Sequence, residues 1–282
     1  MVCLLFMSDV AFDPSTLGLM VPANDDVPQP SDATRHRAET GTSPFDLRCQ
    51  DAVSYLGGLQ SESLDLIVTD PPYESLEKHR AIGTTTRLSQ SKSSSNAWFS
   101  IFPNTRFPDL FRESYRVLKK HRHLYLFCDA ETMFVAKPIA EQHGFKFWKP
   151  LVWDKQKIGM GYHYRSRYEF VLFFEKGKRK LNDLGQPDII PCSRVFNGYP
   201  TEKPSGVSEV LIRQSTQPGE VVCDPFMGSG SAGEAALKLG RGFMGNDISD
   251  ESLRLVSERL APLGRADGSL YSSRQVAQRQ LI

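Results

Sequence analysis

A mostly parallel, doubly wound α/β sheet is the fold class that the sequence predicts, on three observations. Short apolar runs end abruptly on an acid or a polar turn, and they alternate with stretches of helical period. Two of the turns that follow such runs carry glycine or proline where a ligand would approach the backbone. The 282 residues, 40% hydrophobic and 24% charged, are ordinary for a globular protein and ample for one large core.

Residues 1–44 are rich in Pro, Asp, Thr and Ser without a period and read as a loose arm. Within it Val2–Met7 is apolar but lacks a basic flank and stops at Asp9, so no secretory signal is expected. Leu64–Thr69 runs straight into Asp-Pro-Pro and reads as a buried strand. Residues 74–100 form a long polar loop, and residues 107–119 a helix with Phe107, Leu110, Phe111, Val117 and Leu118 on one face. His123–Cys128 follows as a strand and Ala130–Glu141 as a helix closed by Gly144. Leu151–Trp153 and Phe170–Phe174 read as strands flanking a basic, aromatic connection, and residues 177–200 as loop. Then come a helix (Val207–Ser215), a strand (Glu220–Cys223), a helix (Ser231–Leu239), a strand (Gly242–Asp247) and a helix (Glu251–Leu260). The tail after Gly264 is polar, and no apolar run approaches the roughly 20 residues of a membrane helix.

Five scattered cysteines without a CxxC pair argue for a reducing, cytoplasmic setting, with Cys128 and Cys223 as small core residues. Six histidines show no ligand spacing, and no metal is expected. The net charge is only +1, but residues 74–122 carry a balance of +6, residues 146–180 one of +7 and residues 1–40 one of −4. Two basic segments in a near-neutral chain suit a polyanionic partner, although a charge run is often just a solvated face.

The turn Asp224-Pro225-Phe226-Met227-Gly228-Ser229-Gly230 opens a helix, and an acid, Asp247, ends the next strand. Glycines let a ligand approach, a helix start offers N–H groups, and an acid about 20 residues on can hold ribose hydroxyls. Gly228, Gly230 and Gly233 also satisfy GxGxxG, so a dinucleotide oxidoreductase stays open here. Asp224 favours instead a cationic amino-acid group, as in S-adenosylmethionine, over a pyrophosphate. In Asp70-Pro71-Pro72-Tyr73 the prolines fix φ and remove donors, which leaves an acid and a carbonyl to accept from a planar, amino-bearing base while Tyr73 stacks on its ring.

Together the two motifs resemble those of the amino-group DNA methyltransferases: Asp70–Tyr73 their (D/N/S)PP(Y/F/W) motif, Asp224–Gly230 their DPFxGSG motif. The order, catalytic before cofactor motif, is similar to the circularly permuted β class. The resemblance covers roughly residues 45–262 and implies a Rossmann-like methyltransferase fold with S-adenosylmethionine as cofactor. It implies catalytic roles for Asp70, Pro71, Pro72 and Tyr73. It implies cofactor contacts by Asp51, Ala52, Thr201, Lys203, Pro204, Asp224, Pro225, Phe226, Gly228, Ser229, Gly230 and Asp247. Tyr199 stands where His is usual in the segment Tyr199–Pro204, and Asn246-Asp247 where Ile-Glu is common.

The implied organisation is an arm (1–44), a catalytic domain (45–264) with target-recognition loops near 74–108, 155–168 and 177–200, and a polar tail (265–282). The implied reaction is methylation of adenine N6 in double-stranded DNA, with N4-cytosine methylation the alternative. The base is flipped out between Tyr73 and one of Trp153, Tyr162 and Tyr164. Candidate phosphate contacts are Lys119, Lys120, Arg122, Lys155, Lys157, Arg165, Arg167, Lys178 and Arg179. The resemblance further suggests a bacterial enzyme, either solitary or paired with a restriction partner, and a possible homodimer.

Overall fold

The computed structural model describes residues 43–75, 100–159, 163–195 and 202–271. The arm (apart from residues 43 and 44), most of the 74–100 loop and the tail beyond 271 lie outside them. The chain runs β1 (Pro44–Cys49), α1 (Ala52–Gly57), β2 (Leu64–Thr69), α2 (Phe107–Val117), β3 (Leu118–Cys128), α3 (Ala130–Gln142), β4 (Lys146–Asp154) and β5 (Tyr168–Lys176). It continues through β6 (Ile189–Pro191), α4 (Ser205–Ser215), β7 (Val221–Asp224), α5 (Ser231–Lys238), β8 (Gly242–Asp247), α6 (Asp250–Leu260) and β9 (Arg265–Ala266). Among the described residues these strands form one sheet in the order β6-β4-β5-β3-β2-β7-β8-β1-β9. β5 runs antiparallel to both its neighbours, and the other pairs are parallel.

The central strands are apolar on both faces because both are covered. Ile67, Leu124, Leu126, Cys223 and Met244 point into the layer of α1, α2 and α3, where Tyr55, Leu56, Phe107 and Phe111 meet them. Their neighbours Leu66, Tyr125, Phe127, Val222 and Phe243 point the other way, against Val207 and Leu211 of α4, Ala235 and Ala236 of α5, and Val256 and Leu260 of α6. The side-chain period of two in a strand thus builds two cores from one run of residues. Each fully buried Leu, Ile or Phe contributes about 1.5–3 kcal/mol through burial. Among the described residues no helix is long and apolar enough to cross a membrane.

Several element boundaries differ from expectation. The helix expected over 107–119 stops at Val117, and Leu118 is already extended, because Leu118 pairs with Leu64 in the β2 ladder. Lys119, Lys120 and Arg122 therefore stand on a strand. β1, α1, β6 and β9 were not expected; β6 lies in the segment read as loop and β9 just past Gly264. β1 is disguised by Asp46 and Arg48, which pair with each other at 2.7 Å on alternating positions of an otherwise apolar strand.

The topology sets the site. From β7 the chain crosses through α5 to β8 on one side, and from β2 it passes through α2 to β3 on the other. The carboxyl ends of β2 and β7, adjacent strands whose last residues Thr69 and Asp224 are 155 apart in sequence, diverge at this switch point and leave a crevice.

Candidate active site

Asp70 emerges from β2 into this crevice, followed by Pro71, which is buried, and Pro72. The Pro72 carbonyl accepts from the Phe102 amide (2.7 Å), and Tyr73 and Phe102 form a parallel bridge. One residue on, the Glu74 carboxylate accepts from both the amide (2.7 Å) and the side chain (3.0 Å) of Asn104. The two ends of the 76–99 segment are thus clasped at the catalytic edge. Asp70 Oδ2 lies 2.5 Å from the Lys203 ammonium, which arrives from the stretch preceding α4. Lys203 also lies 3.2 Å from Glu169 Oε2, and Lys155 pairs with Glu169 Oε1 at 2.6 Å. Four charges alternate in a chain: Asp70, Lys203, Glu169, Lys155.

Asp224 ends β7 next door. Its Oδ1 accepts from the Thr69 hydroxyl and from the Phe226 amide, both at 3.0 Å, so one hydroxyl links the two motifs. Gly228 (φ 48°) and Gly230 (φ 78°) take the left-handed conformation that favours glycine. A Cβ on Gly230 would also come within 2.7 Å of Val256. α5 starts at Gly230 without a side-chain cap. At the end of β8, Asp247 accepts from the amides of Gly228 and Ser249, each at 3.0 Å. The Asn246 side-chain amide, fully buried, donates to the carbonyls of Gln50 (2.9 Å) and Pro225 (3.2 Å), tying three turns of the crevice together.

Burial dominates the electrostatics. It pushes the Asp224 carboxyl up to about 8, and among the described residues no cation offsets this. Burial also raises Asp70, with Lys203 pulling the other way, and raises Asp247. Against the same burial, Lys203 and Lys155 hold Glu169 below its ordinary value. Burial opposes the charge on Lys203, but Asp70 and Glu169 outweigh it and raise the ammonium.

The structure brings together Asp70, Pro71, Pro72, Lys203, Pro204, Asp224 to Phe226, Gly228 to Gly230 and Asp247, while Thr201 lies outside the described residues. Other expectations need correction. The Asp51 carboxylate is committed: it caps α1 through Ser54 (3.0 Å) and takes both ends of the Arg106 guanidinium (2.6 and 2.9 Å), which holds it at about 2. Ala52 beside it is buried. Tyr73 packs in the core cluster beside Phe102 and Phe107, and its hydroxyl hydrogen-bonds the Asp70 carboxylate. Trp153 is buried too, its indole N–H donating to the Cys192 carbonyl (2.7 Å), so of the expected sandwiching aromatics Tyr164 is exposed and Tyr162 lies outside the described residues. Gly233 serves packing, since a Cβ there would meet Phe243 at 2.6 Å.

The basic residues divide. Lys155, Lys157, Arg165 and Arg167 lie at the β4–β5 connection, on the catalytic edge, although Arg167 makes a two-pronged pair with Asp154 (2.6 and 2.7 Å). Lys119, Lys120, Arg122, Lys178 and Arg179 lie at the opposite edge, about 20 Å away at 3.3 Å per strand residue. There Lys119 pairs with Asp65 (2.6 Å) and Arg122 with Glu220 (2.5 Å) and Asp65 (3.1 Å), while Arg179 is half-buried. Among the described residues, these candidate phosphate contacts are thus divided between the two ends of the sheet.

Four contributors were not singled out from sequence. Glu169 and Glu74 are described above, and Arg106 fastens Asp51 to the root of the 76–99 segment. Arg259 of α6 joins Glu202 (2.8 Å), Glu234 and the Ser229 carbonyl (2.9 Å), holding the Lys203 segment to the glycine turn. Glu169 is the second residue of β5, next to the basic, aromatic connection, and that place at the head of a strand was the available signal.

A family model described as DNA methylase, of the N6 and N4 type, matches residues 64–258. The chain is 27% identical over 242 residues to the type II methyltransferase M.HpaI of Haemophilus parainfluenzae, covering 76% of this chain and 73% of that one. It is 25% identical over 269 residues to the DNA adenine methyltransferase YhdJ of Escherichia coli (strain K12), covering 81% and 85%. The crystal structure of an M1.HpyAVI–SAM complex matches in fold with a TM-score of 0.57 and 22% identity, over 77% of this chain and 99% of that one. This likeness gives the Rossmann-like methyltransferase fold, and the dinucleotide reading of the glycine turn falls away. The family match starts on the first residue of β2 and runs into α6, taking in both divergent strand ends and the lysine between them. By that match the chain belongs to the DNA methylase family.

Proposed function

We propose that this chain transfers a methyl group from S-adenosylmethionine to the N6 amine of adenine in duplex DNA. The observation that carries the reading is the hydrogen bond from Thr69, the residue before Asp70, to Asp224: it sets the acceptor for a base amine and the seat for an amino-acid cation side by side. The residues fit the cofactor. Asp224 is buried with a hydroxyl and an amide as its partners and suits an ammonium group; the left-handed glycines keep side chains out of the turn; Asp247 suits ribose hydroxyls. When bound, S-adenosylmethionine supplies an electrophilic methyl group on a sulfonium.

Asp70 and the Pro71 carbonyl accept the two amine N–H groups and hold the nitrogen lone pair toward the crevice. Asp70, raised by burial, is also the nearest acceptor for the proton that the nitrogen sheds. The base reaches this position only when flipped from the duplex, with Tyr164 and Tyr168 exposed aromatics on this edge. Lys157, Arg165 and Arg167 are the phosphate contacts this geometry supports, and a DNA substrate in the nucleoid fits a cytoplasmic protein. Adenine is favoured by the aspartate opening the Asp70 motif and by the adenine specificity in the name of the YhdJ relative.

The test is methyl transfer from labelled S-adenosylmethionine to unmethylated bacterial DNA, with nucleoside analysis of the digest. Label in N6-methyladenine is the expected result. Label in N4-methylcytosine overturns the base assignment and keeps the chemistry, and no transfer overturns the activity.

A further inference from the structure

We propose that Glu169 is a positioning residue for methyl transfer, which draws the Lys203 ammonium off Asp70 so that Asp70 can receive the substrate amine. The inference rests on the reading of Asp70 as the amine acceptor. As the site stands, Asp70 Oδ2 is taken by Lys203 at 2.5 Å. A lysine N–H and an amine N–H aimed at the same lone pair exclude each other. An ammonium held this tightly also withdraws electron density from the carboxylate, the reverse of what an attacking amine needs.

Lys203 cannot simply leave. Its side chain is 12% exposed, and an ammonium buried without a partner is costly. The neighbouring carboxylate offers the alternative. Glu169 Oε2 stands 3.2 Å from Lys203, is itself buried, and makes no hydrogen bond of good geometry, so it is an acceptor waiting at the correct place. A shift of about half an ångström brings Lys203 to ordinary charge-assisted bonding distance. Glu169 does not drift to meet it, because Lys155 holds the other oxygen at 2.6 Å and β5 pairs Glu169 with Trp153 in register. The four charges sum to zero wherever Lys203 sits between its two carboxylates, so the shift changes no net charge as the neutral base enters.

The experiment is a double-mutant cycle on the full chain. Glu169→Gln, Lys203→Gln and the double variant are compared in single-turnover transfer of labelled methyl to unmethylated bacterial DNA, counted over hours so that slow variants remain measurable. Calorimetry gives the cofactor Kd of each variant, and thermal melting its Tm. Glu169→Gln is expected to slow the wild-type background at least tenfold while the cofactor Kd stays within twofold and Tm within a few degrees. Glu169→Asp should recover part of the rate. In the Lys203→Gln background the same substitution should change the rate less than twofold, since no ammonium remains to be shared. An unchanged rate in Glu169→Gln, an equal loss in both backgrounds, or a loss confined to the cofactor Kd overturns the proposal. If Glu169→Gln does not fold, Glu169→Asp compared across the two backgrounds decides it in the same way. A wild-type protein that methylates no DNA overturns the function and this inference together. An active wild type with an indifferent Glu169 overturns this inference alone.

Discussion

The two ends of the sheet are equally rich in buried charge and use it differently. At the amino end of β2, Asp65 accepts from Lys119, from Arg122 and from the Val221 amide (3.0 Å), and Arg122 also satisfies Glu220. His123 is buried and neutral, its ring lowered to about 4 by burial, and shares Ser215 with Tyr125 (2.8 Å each). Charge there meets counter-charge, and the result is architecture. At the carboxyl end the balance is left incomplete: Asp224 is as buried as any of these groups, yet among the described residues no cation pairs with it. A buried carboxyl without a cation, in an otherwise well-paired molecule, marks where a ligand can complete the pairing.

The comparison can be broken by substitutions at either end. The largest effect belongs to Asp70→Ala, expected to cut single-turnover methyl transfer by about 10²–10³ or more, as loss of a charge-stabilising group does. The cofactor Kd should move little; a large rise in it would make Asp70 a binding residue. Asp224→Asn should weaken cofactor binding about 10- to 100-fold by calorimetry, the scale of one charge-assisted hydrogen bond. The folded protein should lose little stability, because the amide oxygen can still accept from Thr69 and Phe226. Arg122→Met should do the opposite, costing about 2–3 kcal/mol in urea unfolding by leaving Glu220 without its guanidinium, while kcat and DNA affinity stay unchanged. Weakened DNA binding in that variant would restore the far edge to the DNA surface.

The smallest effect sharpens the comparison through pH. Asp224 is largely protonated at pH 7 and must ionise to meet an ammonium, so cofactor affinity should rise with pH up to about 8 and then level off. Calorimetry in two buffers of different ionisation enthalpy should detect proton release at pH 7 that vanishes above pH 9 and is absent in Asp224→Asn. The stability of the unliganded protein runs the other way. A carboxyl raised from 3.8 to about 8 by folding makes the fold less stable as pH rises through that window.

The site was largely legible because its chemistry sits in two contiguous turns, each just after an apolar run, where strand ends announce themselves. The basic residues divide between the two ends of the sheet in a way the sequence does not show, because a charge count does not say at which end of a strand a residue stands. β3 is eleven residues long, with Lys119 to Arg122 at its start and Cys128 at the catalytic edge. Asp51 was assigned by the position of its segment, but its partner, Arg106, is 55 residues away and no local pattern joins them. Arg259 was illegible for the same reason, and Glu169 was legible as a strand head but not as the partner of Lys203: each acts through a contact that exists only once the sheet has formed.

The clasp at Pro72–Phe102 and Glu74–Asn104 has a consequence for chain length. Both ends of residues 76–99 are pinned to the same spot, so the length between them is nearly free to vary: doubling a loop costs only about 0.6 kcal/mol in closure entropy. A change of length between these anchors leaves the contacts that hold the Asp70 turn in place.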